Sequence, residues 1–394
     1  MKKWLFKPLL TCLLLGAWIA PGYALTEEEA MELVTQIGSG DARALKTLEQ
    51  AAAQGDAMAQ FGLGGLYYDG EGVQQDYVQA RRWFEKSAAQ ENAFAQFFLG
   101  AIYDNGQGVP QDYVQARRWY EKAAVQGSAE AQCNLGVLYY NGHGMPQDYA
   151  QARHWWEKAA AQGNADAQNN LGAMYSNGHG VRQDYAQARY WWEKAAAQGS
   201  AMAQYNLGAL YADGEGVQQD YAQARRWYEK AAAQGNVEAQ NNLGGLYAKG
   251  LGVRQDYAQA RVWYEKAAAQ GVAMAQYNLG VMCRDGQGIQ QDYAQARRWF
   301  EKAAAQGFAE AQYNLGVMYA EGQGVPQDYA QARAWYEKAA AQGVAMAQNN
   351  LGVLYAGGYG VRQDYAQARR WFEKAAAQGH ATAQAALGVM RTGS

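Results

Sequence analysis

The chain is poor in the residues on which most enzyme and metal chemistry depends. Among 394 residues there are four histidines and three cysteines. His143 and His179 stand at equivalent loop places, His154 and His380 stand elsewhere, and none has a cysteine or carboxylate at metal-ligand spacing. No metal and no cofactor are expected. Beyond a short leader the serines are Ser39, Ser87, Ser128, Ser176, Ser200 and Ser394, and none lies in S-x-x-K or G-x-S-x-G, so no activated nucleophile is expected. The net charge of -3 leaves no basic groove for nucleic acid and no polybasic membrane patch. Proline, at 5 residues, is scarce while glycine, at 46, is abundant, which suits many uninterrupted helices separated by glycine turns.

Apolar runs are short. Lys2, Lys3 and Lys7 precede an apolar stretch from Leu9 to Ala20, and small residues follow at Gly22 and Ala24. This is the layout of a secretory signal cut after Ala24, and the run is too short to span a bilayer. A lipid anchor would need Cys12, which sits inside the apolar run and fits poorly. The remaining chain has no membrane-spanning stretch and is expected in the periplasm, secreted or at the cell surface. That compartment permits disulfides, but Cys133 and Cys283 occupy different places in repeats four apart. Stacked helices are spaced roughly 8–10 Å, beyond the Cα separation of about 7 Å that a bridge tolerates, so no disulfide is expected.

What the sequence has in abundance is repetition. Gln60, Gln96, Gln132, Gln168 and Gln204 open a series with a period of 36 that runs on to Gln384, and Asp76 to Asp364 and Trp83 to Trp371 form parallel series. A fixed period of this size means stacked supersecondary units. The chain divides into a leader (1–24), a degenerate lead-in that caps the N-terminus (25–55), nine full repeats (56–379) and a C-terminal capping helix (380–394).

Each repeat reads as a helical hairpin. Helix A, such as Ala201 to Tyr211, follows an N-capping residue in the first six repeats (Asp56, Asn92, Ser128, Asn164, Ser200, Asn236) and stops at a glycine pair, Gly214 and Gly216. Helix B opens with Asp220 and Gln223, the D-x-x-Q form of a capping box, and closes at Gly235. On helix B, Tyr221, Ala224, Trp227, Tyr228, Ala231 and Ala232 share a face that must be buried against neighbouring hairpins, opposite Gln223, Glu229, Lys230 and Gln234. On helix A, Ala203, Gln204, Leu207, Gly208 and Tyr211 share a side. Glycine inside a helix costs about 1 kcal/mol against alanine, so its recurrence at Gly208 and equivalents implies close helix approach. At the ends, Thr47 and Arg391 replace the usual Trp and Tyr where water is met. These features predict an all-α solenoid of antiparallel hairpins.

The segment AMAQYNLGALYADGEGVQQDYAQARRWYEKAAAQG (201–235), with Y-x-x-G-x-G-V, D-Y-x-x-A and W-x-E-K-A-A in nearly every repeat, resembles the Sel1-like repeat family, relatives of the tetratricopeptide repeats. The resemblance implies a right-handed α/α superhelix with helix A lining its concave side, used as an adaptor for other proteins. Secreted bacterial members are associated with envelope assembly, signalling or host contact. Some cysteine-rich relatives are linked to penicillin binding or β-lactam hydrolysis; they carry paired cysteines in each repeat, and this chain does not.

Residues that change between repeats mark the expected site. On helix A they are spaced 3, 4, 3, as in Met58, Phe61, Gly65 and Tyr68, or Met202, Tyr205, Ala209 and Ala212. Glu130, Asp166 and Glu238 appear at the first place, and Asn169, Tyr277 and Tyr313 at the second. Within this stripe one residue stays fixed, giving a series Asn134, Asn170, Asn206, Asn242, Asn278, Asn314 and Asn350. Amides that donate and accept can grip the backbone of an extended peptide while their neighbours select its side chains. The competing reading is that each Asn bonds a loop of the next repeat, and the variable aromatics can equally serve packing between helices. The recurring G-x-G is turn punctuation without a third glycine, and Arg225–Glu229 is a structural surface pair. The expected function is a non-enzymatic scaffold that binds a protein or peptide segment, with a host-cell adhesion or invasion factor as the alternative and an envelope enzyme of β-lactam or peptidoglycan type as a more distant one.

Overall fold

A computed structural model describes residues 24–392, with side chains through 390. The leader with Cys12 and Gly22, the Arg391 side chain and Ser394 lie outside the described residues. The described residues form two compact units, one ending at Ala167 and one starting at Gln168. Among the described residues there are 21 α-helices and no strand. In the first unit the lead-in folds as two helices, Glu27–Gly38 and Ala42–Ala53, and hairpins follow from Ala57–Asp69 with Tyr77–Ala88 onward. The second unit continues the same 36-residue pattern, as in Ala201–Asp213 with Tyr221–Ala233, through Tyr365–Ala377 to a last helix, Ala381–Thr392. Each unit is thus an all-α solenoid of stacked hairpins.

The punctuation works as the sequence implies. Ser200 Oγ accepts from the Ala203 amide, and Asp56, Asn92, Ser128, Asn164 and Asn236 do the same in their helices. In the last three repeats the caps are Val272, Phe308 and Val344, and no side chain bonds the first turn. Gly214 ends its helix in the left-handed region at φ 74°, its N–H returning to the Leu210 carbonyl. Asp220 caps helix B by accepting from the Ala222 and Gln223 amides. Its capping box is one-armed, for Gln223 does not reciprocate as Glu29 does for Thr26 in the lead-in.

The core is built from one motif repeated. Gly208 faces the ring of Tyr228, and a Cβ at that glycine would lie 2.5 Å from two ring carbons. The same contact joins Gly64 to Phe84, Gly136 to Trp156 and Gly280 to Phe300. Glycine is kept because helix A rests on the flat face of a helix B aromatic. The fixed glutamine, buried in every repeat, ties successive hairpins together. Gln204 Nε2 donates 3.3 Å to the carbonyl of Ala196 behind it, and its Oε1 accepts from Gln234 Nε2 at 2.8 Å. The Gln–Gln bond recurs in all nine repeats at 2.7–3.0 Å.

One sequence expectation is revised on helix B. Trp227 is half-buried rather than interior, and Lys230 Nζ lies 4.2 Å from its ring centroid. The two residues are three apart, so a long side chain on the polar flank folds back over the ring and its ammonium meets the π face. Every repeat has this pair. Each also has the Arg–Glu pair, 2.6 Å at Arg225–Glu229, where partial exposure limits its worth to about 0.3–0.5 kcal/mol.

Candidate functional site on the first helices

The variable stripe of helix A splits into an exposed rim and a half-buried row. The rim is the first variable place, in the opening turn. Met202, Met274 and Met346 are 50%, 43% and 48% exposed there, and the intervening Glu238 and Glu310 are exposed as well. The ion pairs nearby run within helix B or from Arg284 to Asp285, and none involves Glu238 or Glu310.

The second place borders the packed face. Tyr205 lies 5.9 Å from Tyr228 between ring centroids, Tyr277 5.8 Å from Phe300 and 5.1 Å from Phe308, and Tyr313 6.0 Å from Tyr336. In the first repeat this row is wholly interior, with Phe61 buried among Phe84, Phe94 and Phe98. Burial pushes the Tyr205 hydroxyl above its ordinary range, and Glu238 of the next repeat adds to the shift. Burial raises Tyr277 too, Glu310 again contributing and Arg284 opposing.

The asparagine series lies beside these rings, half-buried except for the buried Asn314. Asn134, Asn206, Asn242, Asn278 and Asn350 bond neighbouring side chains. Asn134 Nδ2 donates to Tyr120 Oη at 3.1 Å, and Asn242 to Tyr228 Oη at 3.3 Å. Asn206 donates to Asn169 Oδ1 at 3.0 Å and Asn278 to Asn241 Oδ1 at 3.3 Å, which links consecutive A helices. Asn314 Nδ2 bonds the Glu310 carbonyl while its Oδ1 accepts from Arg284. Asn350 Oδ1 accepts from Asn349 at 3.3 Å. Asn170 holds the same register. An amide has two donor hydrogens and two acceptor lone pairs, so one internal bond leaves capacity for a ligand.

Arg284 is a residue the sequence reading passed over. It replaces the small residue usual at the fourth variable place. Its guanidinium holds both oxygens of Asp285, at 2.6 and 3.0 Å, and reaches Asn314 of the next repeat. A lone cation among alanines was the available signal. No group of three or more metal-ligating side chains occurs among the described residues. His143 stacks on Tyr113 at 4.4 Å, and His380 caps the last helix through Nδ1. Cys133 and Cys283 are both buried, and burial pushes the Cys133 thiol up to about 12. No described helix is long and apolar enough to cross a membrane.

The fold is a stack of hairpins with fixed seams and a changing rim. The Sel1 repeat matches nine consecutive stretches, from 57–92 through 345–380, and the chain belongs to the Sel1 repeat family. A protective antigen of uropathogenic Escherichia coli strains with an SLR fold is similar in structure, with a TM-score of 0.70 and 38% identity over 88% of this chain and 82% of that one. A Sel1 repeat protein from Oxalobacter formigenes is also similar, with a TM-score of 0.59 and 37% identity over 86% and 97%. No curated protein sequence matches the chain. Sel1 repeat proteins are in general scaffolds for protein interaction and usually not enzymes.

Proposed function

We propose that this chain is an exported scaffold that holds an extended segment of another protein along its helix A face. The observation that carries this reading is the combination of exposed Met202, Met274 and Met346 with seams that otherwise repeat nearly unchanged. Exposed methionines in register on a rigid frame offer adaptable apolar contact, and the row of tyrosines and asparagines behind them offers hydrogen bonds. Export rests on the leader, with cleavage after Ala24, and the N-terminal mass of the protein recovered from its producer tests that step.

The binding reading is tested by crosslinking pull-down from the producer's envelope fraction. The baits are the full chain, a Tyr205/Asn206/Tyr277/Asn278→Ala variant and a Met202/Met274/Met346→Ser variant whose changes leave the packed row intact. A partner captured by the first and lost by both variants, at equal helicity, supports the helix A face. Equal capture by all three moves binding elsewhere.

A second reading, contact with a host surface, draws on the likeness to the protective antigen of uropathogenic Escherichia coli. Antibody labelling of intact cells separates the two, since a periplasmic adaptor stays unlabelled until the outer envelope is opened.

A further inference from the structure

Helix B has a changing place of its own, between a fixed arginine and the fixed tryptophan. It reads Arg82, Arg118, Arg226, Arg298 and Arg370 in five repeats, and His154, Tyr190, Val262 and Ala334 in the other four. All nine side chains are exposed. None of the five arginines enters an ion pair or a hydrogen bond among the described residues. The glutamate three places on is held by the preceding arginine, as Glu301 is by Arg297 at 3.3 Å. Four places on stands a lysine, such as Lys302 after Arg298, and like charges one turn apart on a helix repel. The four repeats without this arginine keep a helix of 13 residues and the same lysine–tryptophan contact. The fold therefore does not require the second arginine, and its charge belongs to the surface.

Along this face of Tyr293–Ala305 lies an open cleft of about 520 Å³, lined by Gln295, Arg298, Trp299, Glu301, Lys302 and Ala305. We infer that this cleft, with its counterparts at Arg226 and Arg370, binds the side-chain carboxylates of an acidic segment of a partner protein. The site is made of helix B residues alone and stands whether or not the helix A face holds a peptide. Arg298 brings a planar fork of five N–H donors, none of them engaged, and a carboxylate accepts two of these in parallel. Lys302 supplies a second charge, its Nζ held 4.3 Å from the Trp299 ring centroid. A carboxylate between the two cations relieves their repulsion, so the cost built into the free helix is recovered on binding. The methylenes of a glutamate find apolar surface on Trp299 and Ala305. Glu301 in the wall sets the charge of the ligand, because a doubly charged phosphate meets more repulsion there than a carboxylate does. The same four residue types recur as Arg226, Trp227, Glu229 and Lys230, and as Arg370, Trp371, Glu373 and Lys374.

The test is fluorescence anisotropy with the full chain and three labelled peptides. One alternates Glu with Ser, one has Gln in place of Glu, and one carries phosphoserine at matched total charge. The Glu peptide is expected to bind more tightly than either of the others, and less tightly as salt rises. Arg226→Ala with Arg298→Ala and Arg370→Ala should weaken it by about fivefold or more at unchanged helicity, since Ala334 already occupies this place. Arg182→Ala with Arg254→Ala and Arg362→Ala removes the same charge from exposed loop places and should weaken it less than about twofold. Equal loss in the two variants means general attraction without a site and overturns the inference. Failure of the Glu peptide to bind, or tighter binding of the phosphoserine peptide, overturns it as well. The Met202/Met274/Met346→Ser variant should bind the Glu peptide as the unchanged chain does. Loss there would place the acidic segment on helix A and overturn the helix B site, while the scaffold reading is judged separately by the pull-down.

Discussion

At the scale of single residues, the seams depend on aromatic rings whose hydroxyls are kept from water. Tyr120, Tyr228, Tyr264 and Tyr336 each cover a glycine of helix A, and burial holds their hydroxyls above the usual tyrosine range, Tyr264 up to about 12. The folded pKa exceeds the unfolded one, so the folded state binds more protons between the two values. The stability this represents is fully present below about pH 10, the unfolded tyrosine value, and is lost as pH rises through the folded values. Tyrosine absorbance at 295 nm should show these four ionising together with loss of helicity above pH 10. A smooth titration near pH 10 in a still helical chain would mean the rings are open to water. The buried glutamine is a residue whose role the sequence did not disclose. Its period was legible, but that Gln204 bridges Ala196 and Gln234 required knowing which helix lies behind it.

At the scale of the helix, a glycine's worth depends on whether a ring lies over it. Gly208→Ala would push a methyl into Tyr228, and overpacking of this kind costs about 1–3 kcal/mol, more than the roughly 1 kcal/mol that alanine adds as a helix former. Gly388 stands at the same register of the last described helix, and a Cβ there meets nothing within 4 Å. Gly388→Ala should therefore stabilise the chain by up to about 1 kcal/mol while Gly208→Ala destabilises it, as urea midpoints will show. The sequence anticipated the close approach at Gly208 but placed Trp227 and Lys230 on opposing faces, because a helical wheel ignores how far a lysine stem can reach. The candidate stripe was legible as a pattern, though its division into rim and seam was not. Only packing shows that Tyr205 leans on Tyr228 while Met202 stands free of it.

The lead-in helices join the first repeat through one bond of special kind. The Leu25 backbone N–H donates to Asp56 Oδ2 at 2.7 Å, while Asp56 Oδ1 caps repeat one through the Ala59 amide. Cleavage after Ala24, as proposed, would turn that amide into an ammonium held against a carboxylate. Charge-assisted bonds are roughly twice as strong as neutral ones. A chain that starts at Leu25 should then exceed its N-acetylated form in stability by about 1 kcal/mol, and Asp56→Asn should erase the difference in a double-mutant cycle. No difference between the free and acetylated chains would sink the idea.

At the scale of the whole molecule, the array should behave as a sum of neighbours. Within each unit a hairpin packs on its neighbours in sequence, so stability there is set by local seams and not by distant closure. Deleting residues 237–272 removes one full repeat and joins Asn236 to Ala273, which keeps an N-cap and restores every seam between like partners. That chain should stay folded, with its helical signal reduced by the share of two helices in the 21 described and a urea m-value lowered in proportion to the surface lost. Deleting only 237–255 is the sharper case, although it removes fewer residues. It takes away helix A with Gly244 and leaves Tyr264 without the surface it covers. The smaller deletion should therefore cost more, splitting the unfolding transition or exposing apolar surface to a dye such as ANS. If the full-repeat deletion instead unfolds the chain, stability is not local and the neighbour account fails. If both deletions are tolerated alike, the aromatic–glycine seam is not what holds successive hairpins together.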